Sequence, residues 1–125
     1  MESEMKFIRS APHLPVSNLQ DTLNFYRDKL GFYDEWTFGD KDGGIRRDDM
    51  RLLFAEDPDL ASKINSGKQR FPLIWFVQNI DKIYDEFTKR EIHLASPLLT
   101  HPYKMREFAF IDLNGYYIRV SETLP

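Results

Sequence analysis

Apolar residues recur at helical spacing in two stretches of the chain. Leu19, Leu23, Tyr26 and Leu30 form one stripe, and Ile80, Ile83, Tyr84 and Phe87 form another. Asn18 or Ser17 offers an N-cap to the first predicted helix, and Gly31 ends it. Before it, residues 6–16 read as a short edge strand. Pro12 and Pro15 cannot donate to a ladder, so that strand pairs fully on one side at most. After it come "FYDEWTF" as a strand, "GDKDGG" as a turn, and "IRRDDMRLLF" as two strands joined at Asp48-Asp49. The second half runs likewise. "FPLIWFV" is a strand, Asn79 caps the helix, "IHLAS" is a strand and "LLTHPYKM" a loop. "REFAFID" and "YYIRVSE" then form a hairpin across "LNG".

The two halves are in register. Val16, Asn18, Leu19, Leu23 and Tyr26 match Val77, Asn79, Ile80, Tyr84 and Phe87, each sixty-one positions on. The order strand, helix, strand, strand, strand is repeated. The predicted fold is α+β, one domain over 1–125. Two tandem β-α-β-β-β modules, about 6–57 and 71–122, flank a polar linker at about 58–70. A helix covers one face of each sheet, and the other face needs a partner or a ligand. Two curved mixed sheets of this kind enclose a groove.

Composition narrows the function. A chain of 125 residues with 42% hydrophobic and 30% charged residues is an ordinary globular domain. A net charge of −3 provides no field for nucleic acid or anionic membrane, so neither is an expected partner. The absence of cysteine removes thiolate chemistry and Cys-ligated zinc, and fits a cytoplasmic setting. The N-terminal stretch lacks the apolar centre of a signal peptide, and no apolar run is long enough to span a bilayer. Aromatics at 14% exceed what a core of this size needs, which suits a ligand groove or an interface.

"PVSNLQDTLNFYRDKLGF" and "PYKMREFAFIDLNGYYIRV" resemble the two signature stretches of the glyoxalase/bleomycin-resistance/dioxygenase (vicinal oxygen chelate) superfamily. The second departs from the usual wording. It has Tyr103-Lys104 for Trp-Gly, and Asp112-Leu113-Asn114-Gly115 for Asp-Pro-Asp-Gly. The resemblance implies paired modules in a homodimer with two grooves. It also implies a divalent metal in the enzymes, held by the first and last strand of each module. Those positions fall here on Ala11, Leu53, Pro72 and Arg119, none of them a usual ligand. The resemblance is therefore to the metal-free bleomycin-resistance-like branch, whose members sequester a ligand; no cofactor is expected.

The candidate ligand-binding residues are Trp36, Phe38, Arg47, Arg51, Leu53, Phe76, Tyr103, Arg106 and Arg119. Trp75 shares strand parity with Leu73 and Val77 and is expected in the core; Phe76 shares it with Ile74 and is expected in the groove. Trp36, Phe38 and Phe76 offer stacking surface, and the resemblance places the Tyr103 loop over the groove. The arginines stand on strands expected to form the groove wall, where guanidinium suits a planar anion. Glu107 and Asp112 fall on opposite sides of an extended strand, so they are not a carboxylate pair for acid–base work. No HxH or HExxH occurs among His13, His93 and His101. The expected function is sequestration of an aromatic or anionic small molecule by a homodimer, with exchange of the first strand between protomers suited by its prolines. The alternative is a metal-dependent lyase or dioxygenase with an altered ligand set that includes His13 and Glu107. A third reading has the groove filled by the protein's own side chains.

Overall fold

A computed structural model of the protein describes residues 4–125. The first module comprises β1 (His13–Val16), α1 (Leu19–Leu30), β2 (Tyr33–Phe38), β3 (Asp42–Arg47) and β4 (Met50–Glu56). A short helix, α2 (Pro58–Asn65), follows. The second module comprises β5 (Leu73–Phe76), α3 (Ile80–Lys89), β6 (His93–His101), β7 (Met105–Ile111) and β8 (Tyr117–Thr123). The sheets have strand orders β1-β4-β3-β2 and β5-β8-β7-β6, so the repeated topology is explicit. In each, the first and last strands of the module pair in parallel and the others antiparallel. The fold class is α+β with two mixed sheets.

Four element predictions change. The first strand spans only His13–Val16, although the Pro12 carbonyl already accepts from the Leu53 amide at 3.1 Å. Residues 4–10 are exposed, with Met5, Phe7 and Ile8 against solvent. The "GDKDGG" turn shrinks, because β3 begins at Asp42. The stretch called linker holds α2, with Pro58 in its first turn and the Asp57 carboxylate accepting from the Leu60 amide at 3.1 Å. The loop predicted at "LLTHPYKM" is mostly strand, because β6 continues to His101 and pairs with β7 through irregular register near Ser96.

The two helices start differently. Asn18 caps α1 as expected, its side chain accepting from the Asp21 amide at 2.8 Å. Asn79 makes no side-chain cap and sits at φ 59°. Glu122 does the work instead, accepting from the Asn79 and Ile80 amides at 3.3 and 3.0 Å. Glu56 accepts similarly from the Leu19 amide at 2.9 Å.

One core serves both modules. Leu23, Tyr26, Phe32, Phe54, Trp75, Phe87, Phe108 and Phe110 belong to a single buried cluster. Trp75 is only 6% exposed, as its parity predicts, and touches Tyr26 and Phe32 of the other module with ring centroids 6.3 and 5.6 Å apart. The fully buried Tyr26 hydroxyl donates to Asp112 at 2.6 Å across the module junction. The helix-covered faces of both sheets thus supply the core. The opposite faces hold the candidate site. Among the described residues no helix is long and apolar enough to cross a membrane.

Candidate functional site

The open face of the second sheet is built on β7 and β8. Cross-strand pairing sets Glu107 opposite Ser121 and Ala109 opposite Arg119, and β5 adds Ile74 beside Arg119. Alternation then turns Arg119 and Ser121 to this face and Ile118 and Val120 to the core. Glu107 is 5% exposed and fully engaged. It accepts from Arg119 Nη2 at 2.7 Å, from Arg119 Nε at 3.1 Å, from Ser121 Oγ at 2.6 Å, and from the Tyr103 hydroxyl. Burial works to raise its pKa. The hydrogen bonds from Ser121, Tyr103 and Arg119 outweigh it and hold the carboxyl below the ordinary glutamate range. A carboxylate so saturated is a poor general base. It is an anchor that fixes Arg119, whose guanidinium stays partly open to solvent. His101 stacks on Tyr103 at 4.9 Å with the rings 5° from parallel, steadying the turn that carries Tyr103. Phe76 stands on the same face at the sheet edge, 64% exposed.

The open face of the first sheet is aromatic. Trp36 pairs with Gly44 and Phe38 with Asp42, which themselves oppose Leu53 and Ala55 on β4. A Cβ at Gly44 would lie 2.7 Å from the Trp36 ring. Glycine is therefore what lets the indole rest on the strand while its other surface, 48% of the residue, faces solvent. Arg51 and half-buried Leu53 share this face. Arg46, opposite Arg51, lies over the Tyr33 ring at 4.8 Å and bridges Asp34 at 2.6 Å. His13 is also here, 3.8 Å from Asp42.

Two arginines expected in the groove wall are elsewhere. Arg47 pairs with Met50, on the core side of the hairpin, and reaches the module junction. There it donates to the Leu30 carbonyl at 2.7 Å and to Glu86 at 2.6 Å. Arg106 pairs with Glu122 and binds Asp81 of α3 at 2.7 Å, on the helix-covered side. The two-residue turn sets Arg47 beside Met50, and Arg106 alternates with Glu107 and so takes the side of Phe108 and Phe110. Trp36, Phe38, Arg51 and Leu53 share one open face, and Phe76, Tyr103 and Arg119 the other. Ser121 joins this face too, a position that its shared parity with Arg119 signals in the sequence.

The model of the Glyoxalase/Bleomycin resistance protein/Dioxygenase superfamily matches residues 8–120. The chain belongs to this superfamily. No curated protein sequence matches it. Among solved structures, the bleomycin-binding protein of bleomycin-producing Streptomyces verticillus, complexed with copper(II)-bleomycin, is 22% identical. It aligns over 98% of this chain and 99% of its own, with TM-score 0.71. TioX from Micromonospora sp. ML1 is 13% identical over 94% and 100%, with TM-score 0.73. A protein of unknown function from Agrobacterium tumefaciens is 22% identical over 98% of each chain, with TM-score 0.71. Identities this low establish the shared fold alone.

The residues of the superfamily's metal positions do not fit a divalent cation. Leu53 has no donor atom, and Arg119 places a cation beside the Glu107 carboxylate. Glu107 is the sole acid in that network, and its oxygens already accept from three side chains. His13 belongs to the other sheet, facing Asp42. Among the described residues no three His, Asp or Glu side chains lie close enough together to hold a metal.

Proposed function

We propose that this superfamily member binds a small organic molecule on its open sheet faces without metal, as a homodimer in which a second chain completes each groove. The observation that carries the reading is Arg119, held by Glu107 at the centre of one face where a cation-binding residue would otherwise stand. A guanidinium aligned by a buried carboxylate is a preorganised receptor for a carboxylate or phosphate. Phe76 and Tyr103 on that face, and Trp36 and Phe38 on the other, add exposed ring surface for stacking. Bleomycin is cationic, and the arginines on both faces argue for a different, anionic aromatic ligand. The bleomycin-binding neighbour supports binding of a small molecule, and the cysteine-free composition suits a cytoplasmic protein.

Titration of aromatic carboxylates and aromatic antibiotics, followed by tryptophan fluorescence, tests the reading. Saturable binding of an aromatic carboxylate is expected, weakened about tenfold by Arg119→Ala, the factor that one charged hydrogen bond contributes. No saturable binding across both groups of compounds would overturn it.

A further inference from the structure

The two module junctions are related by the internal repeat, yet only one is filled by the chain. His13 pairs with Leu53 and Ile74 with Arg119, so Leu53 corresponds to Arg119 and Met50 to Tyr116. At the first junction the loop between β7 and β8 reaches the start of α1. The Tyr116 hydroxyl donates to the Pro15 carbonyl at 2.6 Å, and the Asn114 side chain accepts from the Ser17 amide at 2.8 Å. At the second junction the β3–β4 turn is only Asp48-Asp49, and Met50 stands where Tyr116 stands in the other. A cleft of about 880 Å³ remains there, in the size range of small-molecule sites.

Its chemistry follows from its walls. Met50, Val77 and Ile83 line its sides, and at its base only the edges of the core rings Trp75 and Phe87 are reached. The Val77 amide donates to the Ser121 carbonyl at 2.9 Å, so Val77 turns its backbone to β8. The neighbouring Phe76 then turns its N–H and C=O away from β8, on an edge strand, as Pro15 does at the filled junction. Asp48 and Asp49 stand on the rim in addition to the Arg47–Glu86 pair, so two carboxylates are left over among the described lining residues. That surplus of negative charge disfavours an anion.

We propose that this cleft is a second ligand site, distinct from the open sheet faces. It takes a neutral or cationic hydroxyaromatic molecule whose ring packs between Met50, Val77 and Ile83, above the edge of Trp75, and whose hydroxyl donates to the Phe76 carbonyl. The ligand reproduces at the second junction what Tyr116 does at the first.

The test uses a Trp36→Phe background, which leaves Trp75 as the sole tryptophan. The probes are 4-ethylphenol, its methyl ether 4-ethylanisole, and tyramine. Saturable change of Trp75 emission is expected with 4-ethylphenol. Binding should be weaker by roughly fivefold or more for 4-ethylanisole, which lacks the donor. Met50→Tyr supplies the repeat's own phenol, and is expected to abolish binding and raise the melting temperature. Asp49→Lys, at an exposed position, is expected to weaken tyramine and leave 4-ethylphenol unchanged. Arg119→Ala is expected to leave all of this in place, which separates the cleft from the open-face site. The proposal is overturned by no saturable response, by equal affinity for phenol and ether, or by binding that survives Met50→Tyr and disappears in Arg119→Ala. It is also overturned if Met50→Tyr changes only the solution mass, which would give the cleft to a second copy of the chain.

Discussion

Glu107 carries more of the candidate site than any other single side chain. Its folded pKa lies below the ordinary value, so it adds stability above the unfolded pKa, near 4.3 for glutamate, and that stability is lost as pH falls through the folded value. Urea midpoints measured from about pH 6 down to about pH 3 should fall for the wild type more steeply than for Glu107→Gln. At neutral pH, Glu107→Gln is expected to cost about 1–3 kcal/mol, because it weakens the acceptor for Arg119, Ser121 and Tyr103 together. Equal pH profiles for the two proteins would remove the anchoring role. Strand parity alone distinguishes buried Trp75 from exposed Phe76. It does not reveal the Glu107–Arg119 pair, or Glu86 and Asp81 as the partners that hold Arg47 and Arg106 off the open faces. The pair depends on which residues face each other across a hairpin, and hence on turn length.

At the scale of elements, the sequence shows the stripes of α1 and α3 and most strands but not α2, while the ends are settled by tertiary partners. Asn79 looks like a cap because it repeats Asn18, yet α3 is capped from β8 by Glu122. Glu122→Ala is therefore expected to lower stability by about 1 kcal/mol, the usual worth of a helix cap. Asn79→Gly, at φ 59°, should be neutral or slightly stabilising, whereas Asn79→Ala should destabilise. Chemical denaturation of the three variants checks the contrast; a cost for Asn79→Gly as large as that for Glu122→Ala would restore Asn79 as the cap. Gly43 and Gly44 read as a turn because glycine breaks strands in general. Here Gly44 makes room for an indole, and Gly44→Ala is expected to displace Trp36 and shift its emission.

The whole molecule is a duplicated unit whose copies share a core and diverge at their surfaces. The repeat at a fixed offset makes the fold legible without coordinates. The surfaces are not legible, because each depends on how one copy's hairpin meets the other's helix. Tyr26 and Asp112 tie the copies together, and Tyr26→Phe should cost about 1–3 kcal/mol by leaving a buried carboxylate oxygen without its donor. The exposed Met5, Phe7 and Ile8, with Phe71 and Phe76 at the edge of β5, suit pairing with a second chain, including exchange of the N-terminal segment. A solution mass of twice 14.9 kDa is expected, and a monomer at all concentrations would contradict it. The central claim is that the site this superfamily uses for metal here receives an organic ligand through Arg119. Elemental analysis of the protein after dialysis against mixed Mn, Fe, Ni and Zn tests it most directly. The account predicts that no metal is retained near one per chain; stoichiometric metal that is lost in Glu107→Gln or His13→Ala would contradict it and make the metal-dependent enzyme the better reading.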